Sequence, residues 1–316
     1  AGQYAANVDQ GRYTMSLTAS LAGARNQAKA RHSDAPGMPS SMRDDVGRLD
    51  VWLSAELSGV SDNRAGERAE SDFGVAQLGL DWAVSDALLV GAMVQMDWMD
   101  ETAQEVFEEA GAITGARVDG EGWMAGPYVV WRVADSVILD GLALYGTSSN
   151  TVNPLGLYED EFETDRWMLQ ANLTGEYGRG AFLVRPQATL THFEETQDGY
   201  TDSLGFVIPS QSIALGRLAA GPELVWRQER ASGARWELRS KLRAVWDYQP
   251  AELLSETGAF MNSESDLRAD GEIGVAATLS NGAVFELSVG VSGIGQEDFE
   301  ANSARFQLRY PLSLGQ

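Results

Sequence analysis

The chain has 316 residues, of which 44% are hydrophobic, and its formal net charge is −23. This acidic balance excludes a protein that binds nucleic acid through a basic surface. With no cysteine and only two histidines, the sequence excludes disulfides and thiolate metal sites and leaves little material for imidazole chemistry. We therefore predict no enzyme activity, no catalytic residue, no cofactor and no metal site. No charge-free apolar stretch reaches the ~18 residues that a membrane-spanning helix needs.

The first predicted element is a helix at about residues 12–31, within an N-terminal segment that covers residues 1–47. The stretch is rich in good helix formers, and Met15, Leu17, Leu21 and Ala24 give it an apolar stripe. A Ser-Asp-Ala-Pro-Gly stretch at 33–37 is a terminator. The segment holds five basic and four acidic residues, so its charge is +1, which leaves −23 − 1 = −24 for the rest of the chain.

After residue 48, apolar and polar residues alternate with a period of two, which is typical of strands that have one apolar and one polar face. The predicted strands lie near 48–60, 71–84, 86–99, 119–133, 137–149, 164–177, 181–194, 211–228, 235–248, 266–279, 283–295 and 304–313. Ordinary globular strands have about 5–6 residues, whereas tilted membrane-spanning strands need about 9–11. The lengths therefore favour an all-β transmembrane barrel of twelve antiparallel strands, covering 48–316, over a soluble barrel.

The predicted connections alternate between two kinds. Tight ones fall near 85–86, 134–136, 178–180, 229–234 and 281–282, and longer, acidic ones fall at 61–70, 100–118, 150–163, 195–210, 249–265 and 296–303. Outer-membrane barrels have short periplasmic turns and long outer loops. The alternation therefore predicts an even-numbered barrel in the bacterial outer membrane.

Eight of the nine tryptophans fall at predicted strand ends. Trp98, Trp123, Trp167 and Trp246 lie at the long-loop ends, and Trp82, Trp131, Trp226 and Trp236 lie at the tight-turn ends. Aromatic side chains concentrate at the two membrane–water interfaces. We therefore predict that these eight form two aromatic girdles; a soluble barrel would give no reason for the placement and would expose apolar faces on all sides.

If the apolar face meets lipid, the polar face lines the lumen. The residues predicted to face it include Asp81, Arg132, Glu176, Arg185, Glu223, Arg227, Arg239, Arg243, Asp270 and Glu272. Charges at this density need water, mutual pairing or a polar element in the pore. We therefore predict that the basic helix runs through the pore, carrying Arg12, Arg25, Lys29 and Arg31; a helix or tail on the periplasmic side is the alternative.

Several stretches resemble the C-terminal translocator domain, or β-domain, of autotransporters, the type V secretion family. They are Leu49-Asp50-Val51-Trp52, the strand from Phe73 to Asp81, the hairpin that contains 122–128, 138–140 and 144–146, and the proline-bearing strand from Val184 to His192. Their order and spacing match over about 48–312. The resemblance implies a twelve-stranded barrel traversed by an N-terminal helix. It also implies an outer-membrane location and a role in anchoring an N-terminal passenger and aiding its secretion to the cell surface.

The partners that the resemblance implies are a passenger domain in cis, the barrel-assembly machinery, and outer-membrane lipid with lipopolysaccharide. Two other functions stay open from the residues alone. A stand-alone twelve-stranded outer-membrane channel for small solutes would suit the charged lumen. An outer-membrane hydrolase would need a Ser–His pair, for which His192 and Ser203 or Ser210 are the candidates.

Overall fold

The computed structural model describes residues 49–62, 68–107, 112–153, 158–230, 234–249, 267–280, 283–295 and 299–312. The N-terminal segment 1–47, with the helix predicted at 12–31, lies outside the described residues. Within the described ranges, no helix has the length and apolar character needed to span a membrane.

The regular secondary structure of the described residues consists of strands. They are β1 (Leu49–Asp62), β2 (Arg68–Ala83), β3 (Leu88–Phe107), β4 (Ala112–Ala134), β5 (Val137–Asn153), β6 (Asp160–Gly175), β7 (Tyr177–Arg179), β8 (Phe182–Gln197), β9 (Tyr200–Thr201), β10 (Val207–Ile208), β11 (Gln211–Glu229), β12 (Arg235–Gln249), β13 (Leu267–Thr278), β14 (Val284–Ile294) and β15 (Phe299–Leu312).

Twelve antiparallel strands close into one barrel, which confirms the predicted fold class and strand count. Consecutive barrel strands pair with one another, β7 continues β6 along the same edge of β8, and β8 pairs with β11. The ring closes at a seam where β1 pairs with β15, from Leu49 opposite Leu312 to Asp62 opposite Phe299. Because the ring is closed, the barrel strands leave no unpaired sheet edge. The short β9–β10 hairpin is separate from the barrel.

The alternation seen in the sequence becomes an alternation of burial. In β8, Phe182 is 70% exposed and Val184 is 44% exposed, whereas Arg185 is 1% exposed. Successive side chains of a strand point to opposite faces, so the apolar set faces outward and the polar set faces into the barrel. This is the reverse of a soluble barrel, in which the apolar face would be inside.

The two ends of the barrel differ in their connections. At one end, called the tight-turn end, short turns follow β2, β4, β7, β11 and β13; for example, the Val84 amide donates to the Leu88 carbonyl at 2.9 Å. The turn between β7 and β8 contains Gly180 with φ 64°, a conformation that costs a residue with a side chain more than glycine. The other end is called the long-loop end. Its connections are longer on average, and they run between residues 62 and 68, 107 and 112, 153 and 160, 197 and 211, 249 and 267, and 294 and 299.

Two strands extend well beyond the predicted bounds. The sequence predicts a loop at 100–118, but β3 and β4 have 20 and 23 residues, and they stay paired as far as Phe107 opposite Ala112. The prediction of this loop was wrong for a physical reason. Residues 100–118 lack a regular apolar–polar alternation, although the backbone pairing continues, so a period of two could not reveal these extensions.

Candidate functional site

The barrel lumen is the candidate site, and it contains the side chains that the alternation assigned to it. Asp81, Arg185, Glu223, Arg239, Arg243 and Asp270 are buried on the inner face, and Arg132, Glu176, Arg227 and Glu272 are half-buried there. Among the described residues, most of the lumen ion pairs fall into three clusters, of which the first and the third both lie toward the tight-turn end.

The first cluster, called the tight-turn cluster, is centred on Glu237 of β12. The Glu237 carboxylate lies 2.8 Å from Arg227, 2.8 Å from Arg239 and 3.5 Å from Arg185. Glu237 and Arg239 are each 7% exposed and Arg185 is 1% exposed. One carboxylate therefore holds three guanidinium groups from three neighbouring strands.

Further carboxylates complete the tight-turn cluster. Arg185 also lies 2.7 Å from Glu176 and 3.3 Å from Glu223, and Arg239 lies 2.7 Å from Glu286 of β14. Ionised groups removed from water are stable only when oppositely charged neighbours and hydrogen bonds replace the lost hydration. The cluster meets that condition and joins Glu176, which precedes β7, to side chains of β8, β11, β12 and β14.

A second cluster lies near the middle of the seam half of the barrel, which is the part of the wall formed by β12–β15 and β1. It extends from there toward the long-loop end. Arg305 of β15 lies 2.6 Å from Glu56 of β1 and 3.2 Å from Glu272, which is 3.0 Å from Lys241. Glu56 and Arg305 are also register partners across the seam. Nearer the long loops, Asp247 accepts hydrogen bonds from both Arg217 and Arg268.

The third cluster, called the seam cluster, consists of Asp50, Trp52, Asp81, Tyr128 and Arg309. Arg309 forms ion pairs with both aspartates. The Trp52 indole donates to Asp81 at 3.2 Å and to the Tyr128 hydroxyl at 2.8 Å. Each of the five is at most 3% exposed. Trp52, the ninth tryptophan, is therefore a lumen residue. It lies an even number of residues from Asp50 and Glu56 in β1, and this spacing indicates that the three side chains share one face of the strand.

The wall opposite these clusters is mainly apolar or uncharged. A connected set of buried apolar side chains occupies β1–β6, β8 and β11, including Met93, Met124, Met168 and Phe193. This wall also carries buried charges, namely Asp97, Glu101, Asp140 and Arg166, and the Arg166 guanidinium makes two 2.9 Å hydrogen bonds to Asp97. The lumen thus has a charged side, from β11 to β15 and β1 with the adjoining Arg185 of β8 and Asp81 of β2, and a side richer in buried apolar residues, from β3 to β6 with the long-loop half of β8.

A cavity of about 1080 Å³ lies in the seam half of the barrel, against β1–β3 and β12–β15. Its lining includes Ser58, Lys241, Glu272, Gly290 and Ser303. An α-helix with side chains is about 10–12 Å wide, so a cylinder about 10 Å wide of this volume would be about 14 Å long. The cavity therefore has room for roughly nine residues of helix at about 1.5 Å per residue.

The eight tryptophans predicted as girdles lie on the outward face. Five of them lie within a few residues of a strand end, namely Trp82, Trp131, Trp226, Trp236 and Trp246. Trp98, Trp123 and Trp167 lie 9, 11 and 7 residues short of the long-loop ends of β3, β4 and β6, because these strands extend beyond their predicted bounds. Trp82, Trp98, Trp123, Trp131, Trp226, Trp236 and Trp246 are 45–52% exposed. Trp167 is half-buried because its ring packs on His192, with 4.9 Å between centroids. The two girdles at the membrane interfaces stay a prediction.

The residues proposed for hydrolase chemistry are not brought together. His192 packs against Trp167 on the outward face. The Ser203 hydroxyl donates to Asp160 at 2.5 Å, and the Ser210 hydroxyl donates to the Gln197 carbonyl at 2.7 Å. In the described ranges, no group of three or more histidine or acidic side chains is arranged to hold a metal ion.

Comparison with known proteins agrees with this architecture. The sequence model of the autotransporter β-domain matches residues 51–291, while no curated protein matches the chain. The β-domain of the Bordetella autotransporter BrkA is similar in structure, with 16% identity, a TM-score of 0.62, and coverage of 84% of this chain and 100% of that one. The transport unit of AIDA-I from Escherichia coli has 15% identity and a TM-score of 0.65, covering 92% and 97%.

The translocator domain of NalP from Neisseria meningitidis is also similar, with 15% identity, a TM-score of 0.61, and coverage of 95% of this chain and 99% of that one. At these identities the structures establish the shared barrel fold. The sequence match covers most of the chain and establishes the family: this chain belongs to the autotransporter β-domain family.

Proposed function

We propose that this outer-membrane barrel is a translocator, which anchors an N-terminal passenger in cis and aids its secretion to the cell surface. The observation that carries the proposal is a closed twelve-stranded barrel with a polar lumen in a chain of the autotransporter β-domain family. A stand-alone channel for small solutes is the weaker alternative, because it accounts for the lumen but not for the family. The work of a translocator needs no reaction chemistry, so we propose no catalytic residue.

We further propose that residues 12–31 form the helix that occupies the pore. The two-sided lumen supports this role, because an amphipathic helix can place its apolar stripe against the side that holds Met93 and Phe193. Its basic face would then lie against the charged side. Because the carboxylates of that side already pair with arginines, the helix would be held by shape and residual acidic charge rather than by one strong ion pair.

The partners follow from the outward face and from the fold. We propose that lipid and lipopolysaccharide surround the exposed apolar residues, with the eight tryptophans at the two interfaces. We also propose that the barrel-assembly machinery inserts the chain, because closing β1 on β15 joins strands that are about 250 residues apart in sequence and must be protected until they pair.

Lipid contact predicts a depth-dependent penalty for charge on the outward face. Leu242 lies midway along β12 and is 56% exposed. Leu242→Arg is expected to cost about 2–4 kcal/mol of unfolding free energy, because the charge would lie near the bilayer midplane. Val84→Arg, at the tight turn, is the matched control and is expected to cost about 0–1 kcal/mol. Urea titrations in phospholipid vesicles measure both; equal penalties would contradict lipid contact at Leu242.

Surface display tests the proposed function. A signal peptide and an epitope tag are placed ahead of Ala1, the protein is expressed in a Gram-negative host, and protease is added to intact cells. We expect the tag to be removed while the barrel stays folded, because the N-terminal segment would run to the outside through the pore. A tag inserted between Asp135 and Ser136, in a tight turn, is the control and should be protected.

Protection of the N-terminal tag in a correctly inserted barrel would contradict the proposal and favour the channel. Single-channel conductance of the whole chain separates the two further. A pore filled by the helix predicts low conductance, whereas an open lumen predicts a stable, high conductance.

A further inference from the structure

The β9–β10 hairpin, in the long connection between β8 and β11, is held over the inner side of the barrel wall. The Tyr200 ring stacks on Phe162 at 5.8 Å and 15°. The Ser203 amide and hydroxyl both donate to the Asp160 carboxylate, at 2.8 and 2.5 Å. Asp160 and Phe162 share the face of β6 that continues into Thr164 and Arg166, which are buried. The hairpin therefore leans inward, over the mouth of the lumen.

The tip of this hairpin has a fixed conformation. One Asp202 carboxylate oxygen accepts hydrogen bonds from the Leu204 amide at 3.0 Å and from the Phe206 amide at 2.7 Å. The Asp202 amide donates to the Phe206 carbonyl at 2.9 Å, and Gly205 turns the chain with φ 87°. At the base, burial raises the pKa of the Tyr200 phenol, and the nearby Asp160 and Asp202 carboxylates raise it further.

This fixed tip presents apolar side chains to open space. Leu204, Phe206 and Val207 are 60%, 64% and 78% exposed. Lipid does not account for them, because Asp160, which the tip contacts, lies seven residues beyond Trp167 of the outer girdle along β6. At about 3.3 Å per residue, that is roughly 23 Å above the girdle along the strand. Apolar side chains held over the pore mouth lie where a chain that leaves the pore would pass them.

We infer that Leu204, Phe206 and Val207, called the hairpin tip, form a docking surface for the segment of this chain ahead of β1, where that segment leaves the pore. The inference rests on the proposed function, since it requires the segment to pass through the lumen. It adds the contact that holds the emerging chain at the mouth.

The chain ahead of β1 has the length to reach the hairpin tip. It starts from Leu49, at the tight-turn end, and β1 covers about 46 Å with 14 residues at about 3.3 Å each. A 20-residue helix spans about 30 Å, and extended residues add up to about 3.3–3.6 Å each. The 48 residues ahead of Leu49 therefore suffice to cross the barrel and pass the tip.

The chemistry of the segment suits the same surface. Its first 11 residues, which precede the proposed pore helix, include Tyr4 and Val8, which can cover the apolar tip. Arg12, at the outer end of that helix, complements the acidic base of the hairpin, where Asp160 and Asp202 are each 8% exposed. A second copy of the chain would lack this charge complementarity, since the rest of the chain is strongly acidic.

Cysteine trapping tests the inference directly, because the chain has no cysteine of its own. Phe206→Cys is combined with single cysteines across residues 1–30, and disulfides are formed with a mild oxidant in intact outer membranes that carry the tagged full chain. Asp86→Cys, exposed at a tight turn, is the matched control. A docked segment presents an effective concentration in the millimolar range, so we expect a run of neighbouring positions to trap with Phe206→Cys at least about tenfold faster than with Asp86→Cys.

Three results would overturn the inference. They differ in whether they also contradict the proposed function. Uniformly slow trapping with a surface-exposed tag would remove the docking surface and leave the proposed function intact. Disulfides between two Phe206→Cys chains in place of the internal ones would assign the tip to a second copy. A protected tag would remove the proposed function and the inference with it.

A second variant tests the contact without a disulfide. Leu204→Ser, Phe206→Ser and Val207→Ser together change only exposed side chains, so the barrel should fold as before. We expect the tag to reach the cell surface several-fold more slowly in this triple variant. An unchanged rate would contradict a docking role for the tip.

Discussion

Replacing Arg309 with methionine is expected to destabilise the barrel by about 3–5 kcal/mol, the cost of breaking a buried ion pair from one side. Arg309 is 2% exposed, and it pairs with Asp50 and Asp81, which are 2% and 1% exposed. Methionine fills a similar volume but leaves two carboxylates near each other with the cation removed. Because the three residues join β15, β1 and β2, the loss falls on the seam that closes the ring.

The unfolding free energy, from urea titration in phospholipid vesicles, measures this effect. Arg117→Met is the matched control, because its ion pair with Asp100 is 57% and 50% exposed and such pairs contribute little. Adding Asp50→Asn and Asp81→Asn to Arg309→Met is expected to recover most of the loss, since no buried charge is then left uncompensated. The side-chain amide that Asp81→Asn introduces retains an oxygen that can accept from the Trp52 indole.

Equal losses for the Arg309 and Arg117 variants would contradict a desolvated seam cluster. Failure of the two asparagine substitutions to restore stability would show instead that Arg309 acts through its packing against Trp52 and neighbouring side chains. The two outcomes are separable because the first compares sites and the second compares charge states at one site.

The outward-facing pattern explains why the barrel could be predicted from the sequence. In β12, Trp236, Leu238 and Leu242 alternate with charged residues, and the prediction of 235–248 is close to the observed Arg235–Gln249. A bilayer gives the two faces of a strand different solvents, so each residue type reports its face. The signal fails in β3 and β4 near Phe107 and Ala112, where the sequence does not alternate although the backbones remain paired within the predicted loop.

The lumen could be predicted only in part. The alternation along each strand places Arg185 and Glu237 in the lumen, but it does not show which cation pairs with which anion. Some pairs follow directly from register, as for Arg227 opposite Glu237. The contact between Arg185 and Glu237 crosses β11 and depends on strand tilt and side-chain length, which alternation does not encode. The β9–β10 hairpin was likewise missed, because its strands have two residues each and give no periodic signal.

The second large effect is expected from Glu237→Gln in the tight-turn cluster. The substitution keeps the shape of the side chain and removes the charge that lies 2.8–3.5 Å from Arg185, Arg227 and Arg239. The guanidinium groups then repel one another with less compensation, and the new amide NH₂ cannot accept their hydrogen bonds. We expect a loss of about 3–5 kcal/mol in unfolding free energy, measured by the same titration.

Glu229→Gln is the matched control, since Glu229 is the last residue of β11, has 60% of its side chain exposed and pairs with Arg235 at 3.2 Å. Its loss should be much smaller, because solvent screens the pair. A loss at Glu237 no greater than at Glu229 would mean that water reaches the cluster and replaces the missing charge.

Coupling within the cluster provides the sharper measurement. Arg185 retains Glu176 and Glu223, and Arg239 retains Glu286, so both remain partly compensated in Glu237→Gln. Adding Arg227→Met removes the remaining repulsion around position 237. The double variant should therefore be more stable than the sum of the single losses predicts, by about 1–3 kcal/mol. If the losses of unfolding free energy were strictly additive, the shared cluster would be contradicted and the contacts would be independent ion pairs. Each charged residue on that side of the lumen could then be replaced by itself without a cooperative cost.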